Sequence, residues 1–338
     1  MPKPCIKLCQ QVPPGPAPIL RRVPTDRPQA DEIQALREGA ALVDRSYLGR
    51  LAISGPQARE ALSALTTNDI ESLEPGTGCF AACCTPKGRM LGELRVLFTG
   101  DELAIDMERI SLQPVFDLIR HGLVGYDAAL HKRTLESSQL SLLGPLAREV
   151  AGAGELGEAE GDNRHGEIEG IGVLMATTDQ GVDLICTESE AGRLRAALIA
   201  RGAVPAGPEL AELARVESGR PRYGVDLDET VIPQEAGLNE RLVSFDKGCY
   251  VGQETIARLH YRGRPNRRLC LLALEPGTEA GAALGFDGRA VGRVTSVADS
   301  PARGTIGLAL VRREAPDGAF LTVGDEGHEA EILGAAGS

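Results

Sequence analysis

The sequence predicts an α+β fold built on antiparallel sheets, followed by a small C-terminal barrel or sandwich. Helical and strand-like segments alternate over residues 31–265 without a steady β-α-β rhythm, which disfavours a doubly wound parallel sheet. From residue 266 onward the chain carries short strand-like segments separated by Gly, Pro and Asp. A length of 338 residues accommodates two or three domains. We therefore predict a disordered arm at 1–30, a main region at 31–265 and a barrel domain at 266–338.

The elements of the first half follow from periodicity and turn residues. Apolar residues at 33, 36, 40 and 43 have helical spacing, so the sequence predicts one helix over 31–43. Ser-Gly-Pro at 54–56 is typical of a helix start, and Pro-Lys-Gly at 86–88 is typical of a turn between strands. In chain order the predicted elements are a helix at 31–43, a strand at 51–53, a helix at 56–65, strands at 78–84, 92–98 and 102–107, and a helix at 111–123.

The second half is predicted in the same way. Apolar residues over 190–201 have helical spacing, and Gly202 is predicted to end that helix. Before it, the apolar residues of 172–177 and 182–187 alternate as in two paired strands. A Gly- and Glu-rich stretch at 152–161 is predicted to be a loop. The predicted elements are strands at 138–143, 172–177 and 182–187, helices at 190–201, 208–217 and 254–260, and short strands at 269–274, 289–297, 305–311, 320–323 and 329–333.

Composition argues against several classes of function. The formal net charge is -12 and aromatic residues make up 3% of the chain, so neither a broad nucleic-acid surface nor an anionic-membrane surface is expected. The sequence has no apolar run long enough for a membrane span and no signal peptide, so a cytoplasmic location is the default. Five arginines nevertheless crowd into one segment, where a solvated face is the first interpretation: Arg258, Arg262, Arg264, Arg267 and Arg268.

The cysteines give no metal-binding pattern. Eight are present, at 5, 9, 79, 83, 84, 186, 249 and 270, and in a cytoplasmic chain they are expected to be reduced. A closed zinc site usually takes two close pairs of ligands, and the C-x3-C-C cluster at 79–84 has no second pair. We therefore predict no metal site and interpret Cys83 as a core residue of a strand.

Cys249 has the most informative surroundings of the eight. It lies between Lys247 and the predicted helix at 254–260, with Gly248 and Gly252 on either side. A thiol beside an ammonium and close to a helix N-terminus lies in positive potential, which favours the thiolate. Free cysteine is also among the most buried residue types. Cys249 is therefore either a reactive or ligand-contacting thiol or a small apolar residue packed at a turn.

The segment 247–254, K-G-C-Y-V-G-Q-E, resembles the K-G-C-[YF]-x-G-Q-E signature of the YgfZ-type folate-binding proteins, which are relatives of the glycine-cleavage T-protein (aminomethyltransferase). T-T-N-D at 66–69, L-E-P-G at 73–76 and P-K-G-R at 86–89 resemble the N-terminal pattern of T-proteins. R-V-E-S-G at 215–219 and the Y-G-V-D-L-D-E that follows resemble their central block. The resemblance implies two interwoven α+β domains and a C-terminal β-barrel around a central folate-binding opening.

The resemblance also implies tetrahydrofolate as ligand and assigns roles to residues. Glu217 matches the glutamate that holds the pterin ring, whose adjacent N–H groups suit a carboxylate. Tyr223 either stacks on the pterin or fills a domain junction. Lys247 falls near the folate-contacting arginines of T-proteins, and it either pairs with the folate tail or stabilises the neighbouring thiolate. Asn68 and Asp69 match a loop near the folate, although both residue types also favour helix C-terminal turns.

The sequence departs from T-proteins where those enzymes carry an Asp-Asp pair, one member of which is essential for aminomethyl transfer. Gly92-Glu93 stands at the matching position, and a carboxylate displaced by about 1 Å can cost about 10²-fold in rate. The resemblance therefore favours a tetrahydrofolate-binding protein that supports iron–sulfur cluster assembly or repair, and thereby tRNA modification, with Cys249 as its thiol. Its expected partners are iron–sulfur assembly or client proteins. Two alternatives stay open: a folate-dependent aminomethyltransferase or related one-carbon transferase that uses Glu93, and a binding module in which Cys249 is silent.

Overall fold

The computed structural model describes residues 27–324 and 327–336, so most of the predicted arm lies outside the described residues. The helices are α1 Ala30–Glu38, α2 Ala58–Leu65, α3 Leu112–Gly122, α4 Ala147–Ala151, α5 Ala191–Ala200, α6 Pro208–Glu217, α7 Asn239–Leu242 and α8 Gln253–Arg262. The strands are β1 Ala41–Asp44, β2 Gly49–Ser54, β3 Thr77–Cys84, β4 Met90–Phe98, β5 Glu102–Met107, β6 Ala129–Lys132, β7 Ser137–Leu143, β8 Asn163–Ile168, β9 Ile171–Thr178, β10 Gly181–Thr187, β11 Val204–Ala206, β12 Arg267–Leu274, β13 Ala283–Phe286, β14 Arg289–Ser300, β15 Gly304–Arg312, β16 Phe320–Val323 and β17 His328–Ala335. Within the described ranges, no helix is long and apolar enough to cross a membrane.

Two sheets of the main region are interwoven along the chain. The six-stranded sheet has the order β11-β1-β7-β10-β9-β8, and the five-stranded sheet has the order β3-β4-β5-β2-β6. The chain enters the first sheet at β1, builds the whole second sheet from β2 to β6, and returns at β7. Neighbouring strands run antiparallel except for the parallel pair β1 and β11. The predicted α+β fold with interwoven antiparallel sheets is confirmed.

The C-terminal strands close into a barrel in the order β12-β15-β14-β13-β16-β17. Strand β12 pairs with β15 on one side and with β17 on the other, so the sheet closes on itself and the predicted barrel, not a sandwich, is formed. Alternate side chains of these strands fill the interior, among them Leu272, Val294 and Ile332.

The predicted helix at 31–43 is wrong over its second half. Helix α1 ends at Glu38, with Gly39 as its C-cap, and Ala41–Asp44 forms β1 in the six-stranded sheet. Residues 40–43 are at most 2% exposed because β1 lies between β7 and β11 and is covered on both faces. A short, continuous apolar run of this kind fits a buried strand as well as a helix, and periodicity alone does not separate the two.

A buried arginine joins the two sheets. Arg95 on β4 pairs with Asp106 on β5 and with Asp183 on β10 of the other sheet, each at 2.6 Å. Asp183 also accepts hydrogen bonds from Gln139 at 2.9 Å and Ser141 at 2.5 Å. The buried guanidinium is thus neutralised by two carboxylates, one of which is held by further donors, as a buried charge requires.

Helix α6 and the segment after it attach the barrel to the main region. Val216 packs in one core with Ile306 and Leu308 of β15. Asp226 accepts hydrogen bonds from Thr295 and from Ser296 of β14, at 2.5 and 2.6 Å. The barrel therefore rests on the same segment that carries the matched central block of the sequence.

Candidate functional site

A group of mostly half-buried charged side chains lies where the two sheets and the segment after α6 meet. We call it the central cluster, and its members come from separate parts of the chain: Arg45, Glu93, Glu108, Glu160, Asp179, Arg220, Arg222 and Arg241. Arg241 on α7 hydrogen-bonds Glu160, and its Nε lies 3.7 Å from Glu93 Oε1. Arg220 Nε lies 3.1 Å from Asp179 in the β9–β10 turn. Ion pairs thus connect both sheets to α7 and the segment after α6.

Glu93 is the carboxyl of the cluster most suited to proton transfer. Its pKa is raised to about 7, chiefly by burial and to a smaller extent by the charges of Glu160 and Glu108, while Arg241 opposes the shift. A carboxyl group with a pKa close to neutral pH can both give and take a proton. Glu93 therefore has the acid–base character of a functional group, although it stands where T-proteins carry an aspartate pair.

The neighbouring Gly92 leaves no space for the first aspartate of that pair. A Cβ atom at Gly92 would lie 2.7 Å from Ser111 Cβ and 3.0 Å from Val115 Cγ2. Residue 111 ends the short helical turn before α3, which packs directly on β4. The Asp-Asp pair is therefore excluded here by packing unless this turn moves.

An aromatic face borders the cluster. The Arg241 guanidinium lies over the ring of Phe80 at 3.5 Å from the ring centre. The Asn68 amide donates to the carbonyl oxygen of Phe80 at 2.8 Å and to that of Arg241 at 3.2 Å. The predicted site residue Asn68 is therefore held at the edge of the central cluster.

Two buried donors of the cluster lack an acceptor. The Nε groups of Arg45 and Arg222 have no hydrogen-bond acceptor within residues 27–324 and 327–336, and Glu108 lies 3.6 Å from Arg222 Nε. Buried N–H groups are nearly always paired in proteins, with protein atoms or with something else. Carbonyl or carboxylate oxygens of a ligand would satisfy both donors.

Glu217 lies in a separate cleft of about 440 Å³. Its carboxylate accepts hydrogen bonds from Arg37 of α1, at 2.5 and 2.6 Å, and from Ser300 of β14 at 2.6 Å. The cleft and the central cluster meet at the β9–β10 turn, where Gln180 lines the cleft and Asp179 belongs to the cluster. Glu217 is thus close in the fold to the cluster but has its own partners.

Tyr223 is buried between β4 and the segment after α6. It is 9% exposed, and its hydroxyl donates to the carbonyl oxygen of Met90 at 3.1 Å. The ring packs in a core that includes Leu227 and Val231. The buried position of Tyr223 favours packing at a domain junction over stacking on a pterin ring.

The Lys247 ammonium lies at the C-terminal end of α2. It donates to the carbonyl oxygens of Ser63, Thr66 and Asn68 at 2.5, 2.8 and 2.6 Å. These carbonyls form the negative end of the helix, where a cation stabilises the structure. Desolvation lowers the pKa of Lys247 to about 8. All three of its N–H donors are engaged by backbone atoms, and none is left for a ligand in this arrangement.

Cys249 opens into a second cleft, of about 390 Å³, lined also by Lys247 and by three carboxylates: Glu60, Asp69 and Glu71. It is the exposed one of the six cysteines that the structure describes. The structure thus brings together Cys249 and the predicted residues Lys247 and Asp69. Exposure at a cleft favours the reactive or ligand-contacting interpretation of Cys249 over a packed one.

The other described cysteines have buried or half-buried side chains. Cys83 packs in the core of the five-stranded sheet, which confirms its prediction as a core residue. Burial raises the pKa of both Cys79 and Cys83 to about 12. Within the described residues, no group of three or more His, Cys, Asp or Glu side chains is placed to hold a metal ion.

The backbone around Cys249 is fixed by a glycine. Gly252 has φ of 88°, and a Cβ atom there would lie 2.6 Å from the Thr85 carbonyl oxygen and 3.1 Å from Gly88 Cα. The N-terminus of α8 therefore packs directly on the turn between β3 and β4. Gly248, by contrast, has no neighbour within 4 Å of such an atom.

Asn68 links the central cluster to the Cys249 cleft. Its side-chain amide holds the Arg241 carbonyl, while its own carbonyl accepts a hydrogen bond from Lys247, two residues before Cys249. The sequence pointed to this loop through the T-N-D match. It gave no signal for the other charged residues of the cluster, which lie at strand ends, in turns and on α7: Arg45, Glu108, Glu160, Asp179, Arg220, Arg222 and Arg241.

Comparison with known proteins identifies the family. An aminomethyltransferase of Rubrobacter xylanophilus is 30% identical over 314 residues, which are 89% of this chain and 84% of that protein. A putative chloroplastic transferase of Arabidopsis thaliana is 29% identical over 307 residues, 88% of this chain and 71% of that protein. The crystal structure of the glycine cleavage system aminomethyltransferase T from Bartonella henselae shares the fold, with a TM-score of 0.80 at 20% identity over 90% of this chain and 88% of that one. The model of the GCVT N-terminal domain matches residues 16–247 and that of the glycine cleavage T-protein C-terminal barrel domain matches 267–335, so the chain belongs to the glycine cleavage T-protein family.

Proposed function

We propose that this chain is a tetrahydrofolate-binding protein of the YgfZ type, which supports iron–sulfur cluster assembly or repair and thereby tRNA modification through Cys249. The observation that carries the proposal is the exposure of Cys249 at a cleft, in a segment held by Lys247 and Gly252. A thiolate is a natural ligand for iron and a nucleophile toward disulfides. A single cysteine does not complete a cluster site, so a partner must supply further ligands. Iron–sulfur assembly or client proteins are the partners of this proposal.

Two features support a folate as the ligand, one in the Glu217 cleft and one in the central cluster. A pterin offers adjacent N–H groups, which the carboxylate of Glu217 is suited to accept. The Nε groups of Arg45 and Arg222, which have no hydrogen-bond acceptor among the described residues, suit the carbonyl or carboxylate oxygens of a ligand. Asn68 would position Arg241 at the edge of the site, because its side-chain amide donates a hydrogen bond to the Arg241 carbonyl oxygen. Tetrahydrofolate, when bound, supplies a carrier for one-carbon units.

The geometry supports a connection between folate binding and Cys249. Asn68 contacts both Arg241 and Lys247, so a shift of the central cluster on ligand binding changes the support of the Cys249 segment. Asp69 lies next to Asn68 and lines the cleft of Cys249. The proposed chemistry therefore has a folate site and a thiol site joined by one loop.

A one-carbon transferase is the second candidate function. Glu93 supports it, because its pKa of about 7 suits proton transfer, as does the resemblance to proteins named aminomethyltransferase. The packing of Gly92 on Ser111 and the longer side chain of Glu93 weigh against it. Formation of methylenetetrahydrofolate from tetrahydrofolate and an aminomethyl thioether, with release of equal amounts of ammonia and free thiol, would favour this second candidate.

The proposed function is tested by complementation in cells that lack the protein. We expect the wild type and Cys79→Ser to restore the activity of an iron–sulfur enzyme and the level of a modified tRNA nucleoside, whereas Cys249→Ser does not. Cys79 is the matched control because it is a half-buried thiol whose pKa burial raises to about 12. Full restoration by Cys249→Ser would contradict the proposal.

A further inference from the structure

The exposed face of α8 combines guanidinium groups with an aromatic ring. Arg258, Tyr261 and Arg262 stand at helix positions i, i+3 and i+4, so they share one face, and all three are exposed. The buried side chain of the helix is Ile256, on the opposite face. Tyr261 is 67% exposed in a chain that has five tyrosines and no tryptophan.

The crowded arginines of this segment fall into two structural groups. Arg267 pairs with Glu235 at 2.8 Å and Arg268 pairs with Asp317, so these two tie the barrel together and to the main region. The remaining three form no ion pair with any described residue, although Glu254 is one turn before the first of them on α8: Arg258, Arg262 and Arg264. Three unpaired guanidinium groups on one short segment are a local positive surface on an acidic protein.

A stack of rings supports Tyr261. The rings of Phe245 and His260 lie parallel, with centres 3.7 Å apart and planes 18° apart. Tyr261 packs edge-on against both, at 6.3 Å and 4.8 Å between ring centres. The orientation of an exposed ring is therefore set by two others, which lowers the entropy lost when a ligand stacks on it.

We propose that the face of α8 formed by Arg258, Tyr261 and Arg262, together with Arg264 just after the helix, binds a short segment of single-stranded nucleic acid. The guanidinium groups contact two or three successive phosphates and Tyr261 stacks on a base, the combination by which single strands are bound without sequence preference. The net charge of -12 disfavours a broad nucleic-acid surface, so we expect a short contact site. The inference stands on α8 and does not rest on folate binding or on Cys249.

The charge contribution is tested by fluorescence anisotropy with the full chain and a labelled 12-nucleotide oligouridine at low salt. We expect the logarithm of the binding constant to fall linearly with the logarithm of the salt concentration, with a slope of about -2. Each phosphate neutralised on a single strand contributes about -0.7 to this slope, and the proposal involves two or three phosphates. Arg258→Glu with Arg262→Glu should weaken binding by at least about 10-fold. The matched control, Arg120→Glu with Arg193→Glu, changes the net charge equally at exposed positions on α3 and α5 and should bind as the wild type does.

The stacking contribution is tested with an abasic oligomer of the same length and with a glutamate-rich peptide. We expect the abasic oligomer to bind about 10-fold more weakly, Tyr261→Ser to remove this difference and Tyr261→Phe to keep it. Absence of oligouridine binding by the wild type, equal binding by the arginine variant, or equal binding of the abasic oligomer would overturn the proposal. Binding of the peptide as tightly as oligouridine would also overturn it and assign the face to an acidic protein.

Discussion

Glu93 marks the point where this chain differs from the aminomethyltransferases it resembles. Its carboxyl is surrounded by Glu108, Glu160 and Arg241, and burial raises its pKa from the ordinary 4.5 to about 7. Between these two pH values the folded state binds more protons than the unfolded state, so this group lowers stability as the pH rises from about 4.5 to about 7.

We expect Glu93→Gln, which stays neutral, to gain stability relative to the wild type over this range. The gain should reach roughly 3 kcal/mol at most near pH 7.5 and vanish near pH 4.5, because a shift of one pKa unit corresponds to about 1.36 kcal/mol. Urea unfolding of both proteins at pH 4.5, 6 and 7.5 measures the difference. Parallel stability profiles would show that the pKa of Glu93 is not raised.

Cys249 is expected to be the fastest of the described cysteines to react with iodoacetamide at pH 8. Burial raises the pKa of Cys79 and Cys83 to about 12 and that of Cys270 to about 11, so almost none of these thiols is ionised at that pH. Rates followed peptide by peptide by mass spectrometry should differ by at least about 10-fold. Comparable rates at Cys79 and Cys249 would contradict the distinction between them.

At the scale of elements, the K-G-C-Y-x-G segment depends on one of its two glycines. Gly252 has a left-handed φ of 88° and lies against Thr85, whereas Gly248 is exposed with open space around it. We expect Gly252→Ala to cost about 1–3 kcal/mol of unfolding free energy and Gly248→Ala to stay within about 0.5 kcal/mol. Urea denaturation compares the two directly, and equal losses would show that Gly252 has no special requirement.

Elements with clear periodicity were predictable from the sequence, and the site was predictable in part. The helix at 208–217 and the strands at 102–107 and 320–323 agree with the structure because their apolar residues have one period and clear ends. Strand β1 was missed because its buried, continuous apolar run has no period of its own. Asn68 was found through a motif, but Arg45 and Glu160 join the central cluster only because three sequence-distant parts of the chain meet there.

At the scale of the whole molecule, one buried arginine side chain joins the two sheets of the main region through ion pairs. Arg95 is buried with Asp106 and Asp183, so Arg95→Met leaves two buried carboxylates without their cation. We expect a loss of about 3–5 kcal/mol in unfolding free energy. Arg133→Met, which breaks an exposed ion pair with Glu136, should cost less than about 1 kcal/mol in the same measurement. Equal losses would show that Arg95 does not bind the sheets together.

In the proposed function, the 66–69 loop lies between the folate site and Cys249. If Asn68 transmits ligand binding, tetrahydrofolate should change the alkylation rate of Cys249 by several-fold in the wild type. Asn68→Ala, which loses the bond to the Arg241 carbonyl, should abolish this effect and leave folate binding in place. An unchanged effect of tetrahydrofolate on the alkylation rate in Asn68→Ala would show that the loop does not connect the two sites.

Folate binding is the central property of the proposed function. Calorimetric titration of tetrahydrofolate tests it directly, since the chain has no tryptophan to report binding by fluorescence. We expect saturable binding to the wild type and to the control Glu38→Ala, on the exposed end of α1, and none to Glu217→Ala. Absence of binding to the wild type, or unchanged affinity of a folded Glu217→Ala, would contradict the account.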